Sequence, residues 1–248
     1  MRGGVACVRC LSPRYSCCLT DSVLSRRGPS KMPHDPSRIA DILQRAEGIL
    51  ATARQGLADV LDRTRSRRIT GLHNLIVFGR SVSFVIQNLS SAADGFDEWY
   101  AQEQAAMKAN PLMRFMNDAR TEILKQGKLN VHSATSLSGF STRDIPYDSA
   151  PPGAVGFFVG DILGGCGWEV ELPDGSKQRY YVDVPRNVTM SQHFSDIPID
   201  KFPELEGLTI EEAAQRYLDE MAALLKRAQA QFLPKPPGKT PHLRLVKG

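Results

Sequence analysis

The stretch LHNLIVFGRSVSFVIQNL, residues 72 to 89, most constrains what this chain can fold into. It is apolar almost all round, yet it carries a histidine, an arginine, a glutamine and two asparagines. An arginine at the middle of a membrane span costs about 2.5–3.5 kcal/mol on insertion scales. A central helix touched on several sides is therefore expected in place of a span, and its buried polar groups must find partners. Seven-residue steps drift only about 20° on a helix. His73, Arg80 and Gln87 thus form one stripe, and Asn74, Ser81 and Asn88 a second. The first stripe is the expected binding surface, either a polar site along a groove or a set of hydrogen bonds to neighbouring helices.

Other helices announce themselves at both ends. Asp35-Pro36 places an N-cap before a proline at the first helical position. Ile39, Ile42, Leu43, Ala46, Ile49, Leu50, Ala53, Leu57, Val60, Leu61 and Thr64 follow at helical spacing. Arg63, Arg65, Arg67 and Arg68 close this helix and form a dense basic cluster. A third helix is expected over Phe96 to Lys108, and a fourth from Asn110-Pro111 to Gly127. A closing helix starts at the Thr209–Glu212 capping box and carries Ala214, Tyr217, Leu218, Met221, Leu225, Ala228 and Phe232 inward.

Between the fourth helix and the last, the pattern changes. Residues 133–153 are rich in Ser, Thr and Pro and predict a long loop. Ala154 to Val159 predicts a strand. Trp168, Val170 and Leu172 alternate with acids before the turn Pro173-Asp174-Gly175, and Tyr180, Val182 and Val184 alternate after it, which predicts a β-hairpin. GDILGGCGW (160–168) lacks the Gly-Lys-Ser/Thr ending of a P-loop, so its glycines are read as a tight bend. The expected fold class is mainly α: a soluble antiparallel helical bundle with a small β-hairpin insertion around 154–185.

Charge and cysteine divide the chain into three. Residues 1–31 hold six Lys/Arg, one acid, and Cys7, Cys10, Cys17 and Cys18. They lack apolar periodicity and read as a disordered leader, or as a misassigned start upstream of Met32. Residues 32–232 read as one domain, and residues 233–248 as a disordered basic tail. The chain has a formal net charge of +4, but the leader contributes +5 and the tail +4, which leaves residues 32–232 at −5. That overall charge gives no support for binding to a phosphate backbone. One body cysteine, Cys166, fits a cytoplasmic setting. The C-x-x-C of Cys7 and Cys10 followed by Cys17-Cys18 has the residue types for zinc but is read as part of the leader, and no further metal-ligand spacing, cofactor motif or Gly-x-Ser-x-Gly nucleophile elbow is present in the sequence.

In the Arg120 region, FMNDARTEIL, the chain resembles the HEPN-like helical bundles (higher eukaryote and prokaryote nucleotide-binding). The family's working motif is an arginine with a histidine five to seven positions later on the same helix. Here residues 125–127 are Lys-Gln-Gly, and the next histidine is His132. The resemblance implies a toxin–antitoxin or phage-defence setting, and it implies two functions. One is a non-catalytic interaction or regulatory protein that binds a protein partner or itself. The other is a metal-independent RNase-type effector acting on RNA, with Arg120 supporting the phosphorane and His132 or His73 moving the proton. His193 is a further lone histidine, read as structural.

Overall fold

The computed structural model describes residues 35–183, 185–195 and 197–234. The expected leader, most of the expected tail and Val184 lie outside the described residues. Five α-helices are present among them: α1 (Pro36–Leu61), α2 (Arg68–Gln87), α3 (Phe96–Ala109), α4 (Pro111–Gln126) and α5 (Ile210–Phe232). Each expected cap is in place. The Asp35 carboxylate accepts from the amides of Ser37 and Arg38 at 3.1 and 3.2 Å. The Asn110 side chain accepts from Leu112 and Met113, and Gly127 ends α4 in the left-handed region. Thr209 and Glu212 close their reciprocal capping box.

The fold class needs correction: the chain is mixed α and β, not a bundle with one hairpin. Five strands assemble into two antiparallel sheets. One pairs β1 (Val131–Leu137) with β5 (Val188–Phe194); the other runs β2 (Ala154–Val159), β3 (Cys166–Glu171), β4 (Lys177–Val182) in that order. The hairpin forms as expected between β3 and β4, with Trp168 opposite Tyr180. The reading fails at residues 133–153, whose first part is β1 and not loop. VHSATSL has no apolar alternation of its own; it is held in a strand by pairing with β5 from Val131↔Phe194 to Leu137↔Val188. A strand that borrows its order from a distant partner leaves little local trace.

α2 lies at the centre, packed against α1, α4 and α5. By length and composition the segment Arg68–Ser91 also qualifies as a candidate membrane span. Here Leu72, Leu75, Ile76, Val82 and Ile86 are fully buried within the protein core. α1 and α2 meet backbone to backbone: a Cβ on Gly71 would lie 2.6 Å from the Cβ of Asp59 and 2.7 Å from the carbonyl oxygen of Gly56. On the side facing α5, a Cβ at Gly79 would run into the Tyr217 ring. The two-stranded sheet joins the core through Phe194, whose ring sits edge-on to Phe115 at 5.0 Å.

Candidate cationic site on α2, α3 and α4

In the basic cluster expected at the end of α1, three of the four side chains are ion-paired. α1 ends at Leu61, so Arg63, Arg65, Arg67 and Arg68 lie beyond it rather than in its last turn. Arg67 pairs with Asp59 at 3.1 Å, and exposed Arg63 pairs with Asp183. Arg65 donates to the carbonyl of Leu163 at 2.6 Å in the glycine-rich bend. Arg68 is only 3% exposed and reaches Glu211, Gln192 and the carbonyl of Val60. This cluster is a structural tie between α2, β5 and α5.

The bend itself is equally self-contained. The Asp161 carboxylate accepts from the amides of Leu163 and Gly165, from Arg179 and from the Tyr181 hydroxyl. Burial and that hydrogen bond to Asp161 push the Tyr181 phenol up to about 12. Burial likewise pushes the Cys166 thiol up, which makes it a poor nucleophile at neutral pH.

The α2 stripe divides. Gln87 donates to the Tyr100 hydroxyl at 2.9 Å and to the carbonyl of Ser83, so it ties α2 to α3. Ser81 bonds a carbonyl of its own helix, and Asn88, just past the end of α2, bonds the carbonyl of Val85. His73 is half-buried with no side-chain hydrogen bond among the described residues, and burial lowers its pKa below the ordinary histidine value. Arg80 bonds the Ser83 hydroxyl and the Asn117 side chain, the latter at 3.3 Å, and its guanidinium lies 4.7 Å from the centre of the Phe84 ring. Arg120 approaches the same ring from α4 at 5.1 Å, and its Nε is buried with no hydrogen-bond partner among the described residues. Both guanidiniums act on Tyr217: burial raises that phenol above its usual range, and the two cations pull it back down.

Arg80 also lines a hollow of about 150 Å³ with Lys108, Arg114 and Asn117, above Met107 and Met113. Lys108 bonds Gln104 at 3.2 Å, and the Arg114 guanidinium lies over the Phe202 ring at 4.9 Å. Among the described residues, none of Arg80, Lys108, Arg114 or Arg120 makes an ion pair. No carboxylate lines the hollow. The larger cleft between α3, α4 and α5, about 410 Å³, contrasts with this, because its Arg227 is held by Glu103 through two 2.8 Å contacts.

The expected pairs for proton transfer are not assembled. Arg120 faces Phe84, whereas His132 sits on β1, stacked on His193 at 5.5 Å with its Nδ1 3.3 Å from the Ser195 hydroxyl. His193 is occupied at both nitrogens, by the Leu208 carbonyl and the Ser191 hydroxyl. No hydrogen bond or ring contact among the described residues joins Arg120 to His132 or to His73, nor His73 to Arg80. No group of three or more His, Cys, Asp or Glu able to hold a metal occurs among the described residues.

Phe84, Lys108, Arg114 and Asn117 are the members that reading the sequence missed. A signal existed: at 3.6 residues per turn, Arg114, Asn117 and Arg120 fall within an arc of about 120° on one side of α4. Arg80 and Phe84 are one turn apart on α2.

A family model, that of bacteriophage lambda protein ea47, matches residues 69–142. The match takes in nearly all of α2, then α3, α4 and β1. No curated protein and no solved structure matches the chain.

Proposed function

We propose that this chain is a non-catalytic interaction or regulatory protein, in a phage-related setting, that recognises an anionic partner through the face built by α2, α3 and α4. The observation that carries the reading is that Arg80, Lys108 and Arg114 line a hollow with no carboxylate among its described lining residues, while Arg120 shares the Phe84 ring with Arg80, in a body that is otherwise acidic. Uncompensated like charges raise the potential of a cleft, and an incoming anion relieves it. The segment matched by the phage family model contains every member of this site. The phage setting rests on that match alone. The non-catalytic reading rests on the described histidines, since none of His73, His132 and His193 makes a hydrogen bond or ring contact with Arg120 through which a proton could be moved in concert with it.

The test uses the full chain with two assays. A fluorescent heparin oligosaccharide, a polyanion without bases, should bind the wild-type protein and lose affinity at least tenfold to an Arg80→Gln/Arg120→Gln variant. A mixed RNA pool held with stoichiometric protein and no added metal should remain full length. Absent heparin binding, or binding that the double variant retains, would remove the face from the account. RNA shortening abolished by Arg120→Ala would replace the non-catalytic reading with the RNase-type effector.

A further inference from the structure

Taking this face as an anion-recognition surface, we infer that its ligand is a single-stranded nucleic acid, with phosphates at the cations and a base against Phe84. The cations are not gathered at one point. Lys108, Arg114 and Arg80 surround the hollow with Asn117, Arg80 also reaches the Phe84 ring, and Arg120 meets that ring from α4. The order across the face is therefore hollow, guanidinium, aromatic ring, guanidinium. A lone oxyanion would be served by the hollow, which at about 150 Å³ is roomy for one phosphate group and leaves Arg120 and Phe84 unused.

Phe84 adds the second requirement. It remains 42% exposed although two cations share its ring, so part of the ring is open to a ligand. Exposed aromatic surface beside guanidinium planes is a stacking platform, and every base offers a π-face to it. A duplex hides its bases in the stack and offers nothing to that ring, whereas an unpaired strand splays them out. An acidic peptide would satisfy the cations without calling for the aromatic. Asn117, held at 3.3 Å by Arg80, provides an amide beside the hollow for a phosphate or base edge.

The acidic remainder of the body limits binding to this strip, so few phosphates are contacted. With three or four of them, the logarithm of affinity should fall with the logarithm of salt at a slope of about −2 to −3. The experiment measures fluorescence anisotropy of a labelled single-stranded dodecanucleotide with the full chain across a salt series. Lys108→Gln and Arg114→Gln should each flatten the slope by about 0.7. Phe84→Leu should weaken binding about five- to a hundredfold and leave the slope unchanged, because it removes stacking and no charge. Far-ultraviolet circular dichroism melts establish that each variant is folded, and Arg63→Gln serves as a charge-matched control that should change nothing.

Equal affinity for the same sequence as a duplex, or Phe84→Leu binding as wild type, would overturn the inference. So would competition by inorganic phosphate alone at equal charge concentration. Heparin binding lost in the Arg80→Gln/Arg120→Gln variant, with no binding of the oligonucleotide, would retain the anion face and reject the nucleic acid. Failure of both probes would reject both.

Discussion

Arg68 and Arg80 stand one helix apart in role although they share one apolar helix. Arg68 is buried among three acceptors that between them span α1, β5 and α5, while Arg80 is turned to an aromatic ring and an open hollow. The sequence shows two arginines and cannot separate them, because their partners Gln192, Glu211 and Asn117 are distant in the chain. Removing Arg68 strands Glu211 and a buried carbonyl, so Arg68→Ala should cost about 3 kcal/mol in chemical denaturation, the lower end for a broken buried pair because Glu211 is one-third exposed. Arg63→Ala, at a solvent-exposed pair, should stay within about 0.5 kcal/mol. His73 gives a pH dependence at the same scale. Its folded pKa lies below the ordinary 6.5, so between those values the unfolded chain binds a proton that the folded chain does not. Stability is then greatest above pH 6.5 and falls as pH drops through that value. Melting temperature followed from about pH 7 to pH 5 should decline in the wild type and decline less in His73→Leu.

At the scale of elements, helices were legible and one sheet was not. Asp35-Pro36, Asn110-Pro111, Gly127 and Thr209–Glu212 are local signals, written within a few residues of the ends they set, and each forms the expected cap. The β3–β4 hairpin was legible for the same reason: its turn and its alternation are contiguous. β1 was missed because Ser133, Ala134, Thr135 and Ser136 take their strand conformation from β5, more than fifty residues on. The glycines of α1 and α2 were also passed over, although Gly56 and Gly71 decide how closely those helices approach. Gly71→Val would drive two methyls into the backbone of α1 and should cost about 1–3 kcal/mol or more in urea unfolding. Gly48→Val on the same helix as Gly56, with nothing within 4 Å of its Cβ position, should be far milder. Equal losses at the two positions would contradict the close α1–α2 contact.

For the whole molecule, the distribution of charge matters more than its sum. A formal net charge of +4 hides a body at −5, and that body in turn hides a strip of four cations, Arg80, Lys108, Arg114 and Arg120, that make no ion pair among the described residues. The charge of a segment is legible in its sequence, but the strip is not, since only the packing of α2 against α4 sets Arg80 and Arg120 on one ring. Arg120 was visible in the sequence as a candidate, but its expected histidine partner was not a neighbour in space, and Phe84 was. The central claim concerns location, and arginine side-chain nuclear magnetic resonance tests it most directly. In nitrogen–proton correlation spectra that resolve each arginine Nε–H, a titrated polyanion should shift Arg80, Arg114 and Arg120 together and leave Arg65, Arg67 and Arg68 in place. Shifts confined to Arg65, Arg67 and Arg68, with Arg80 and Arg120 unmoved at saturation, would contradict the account.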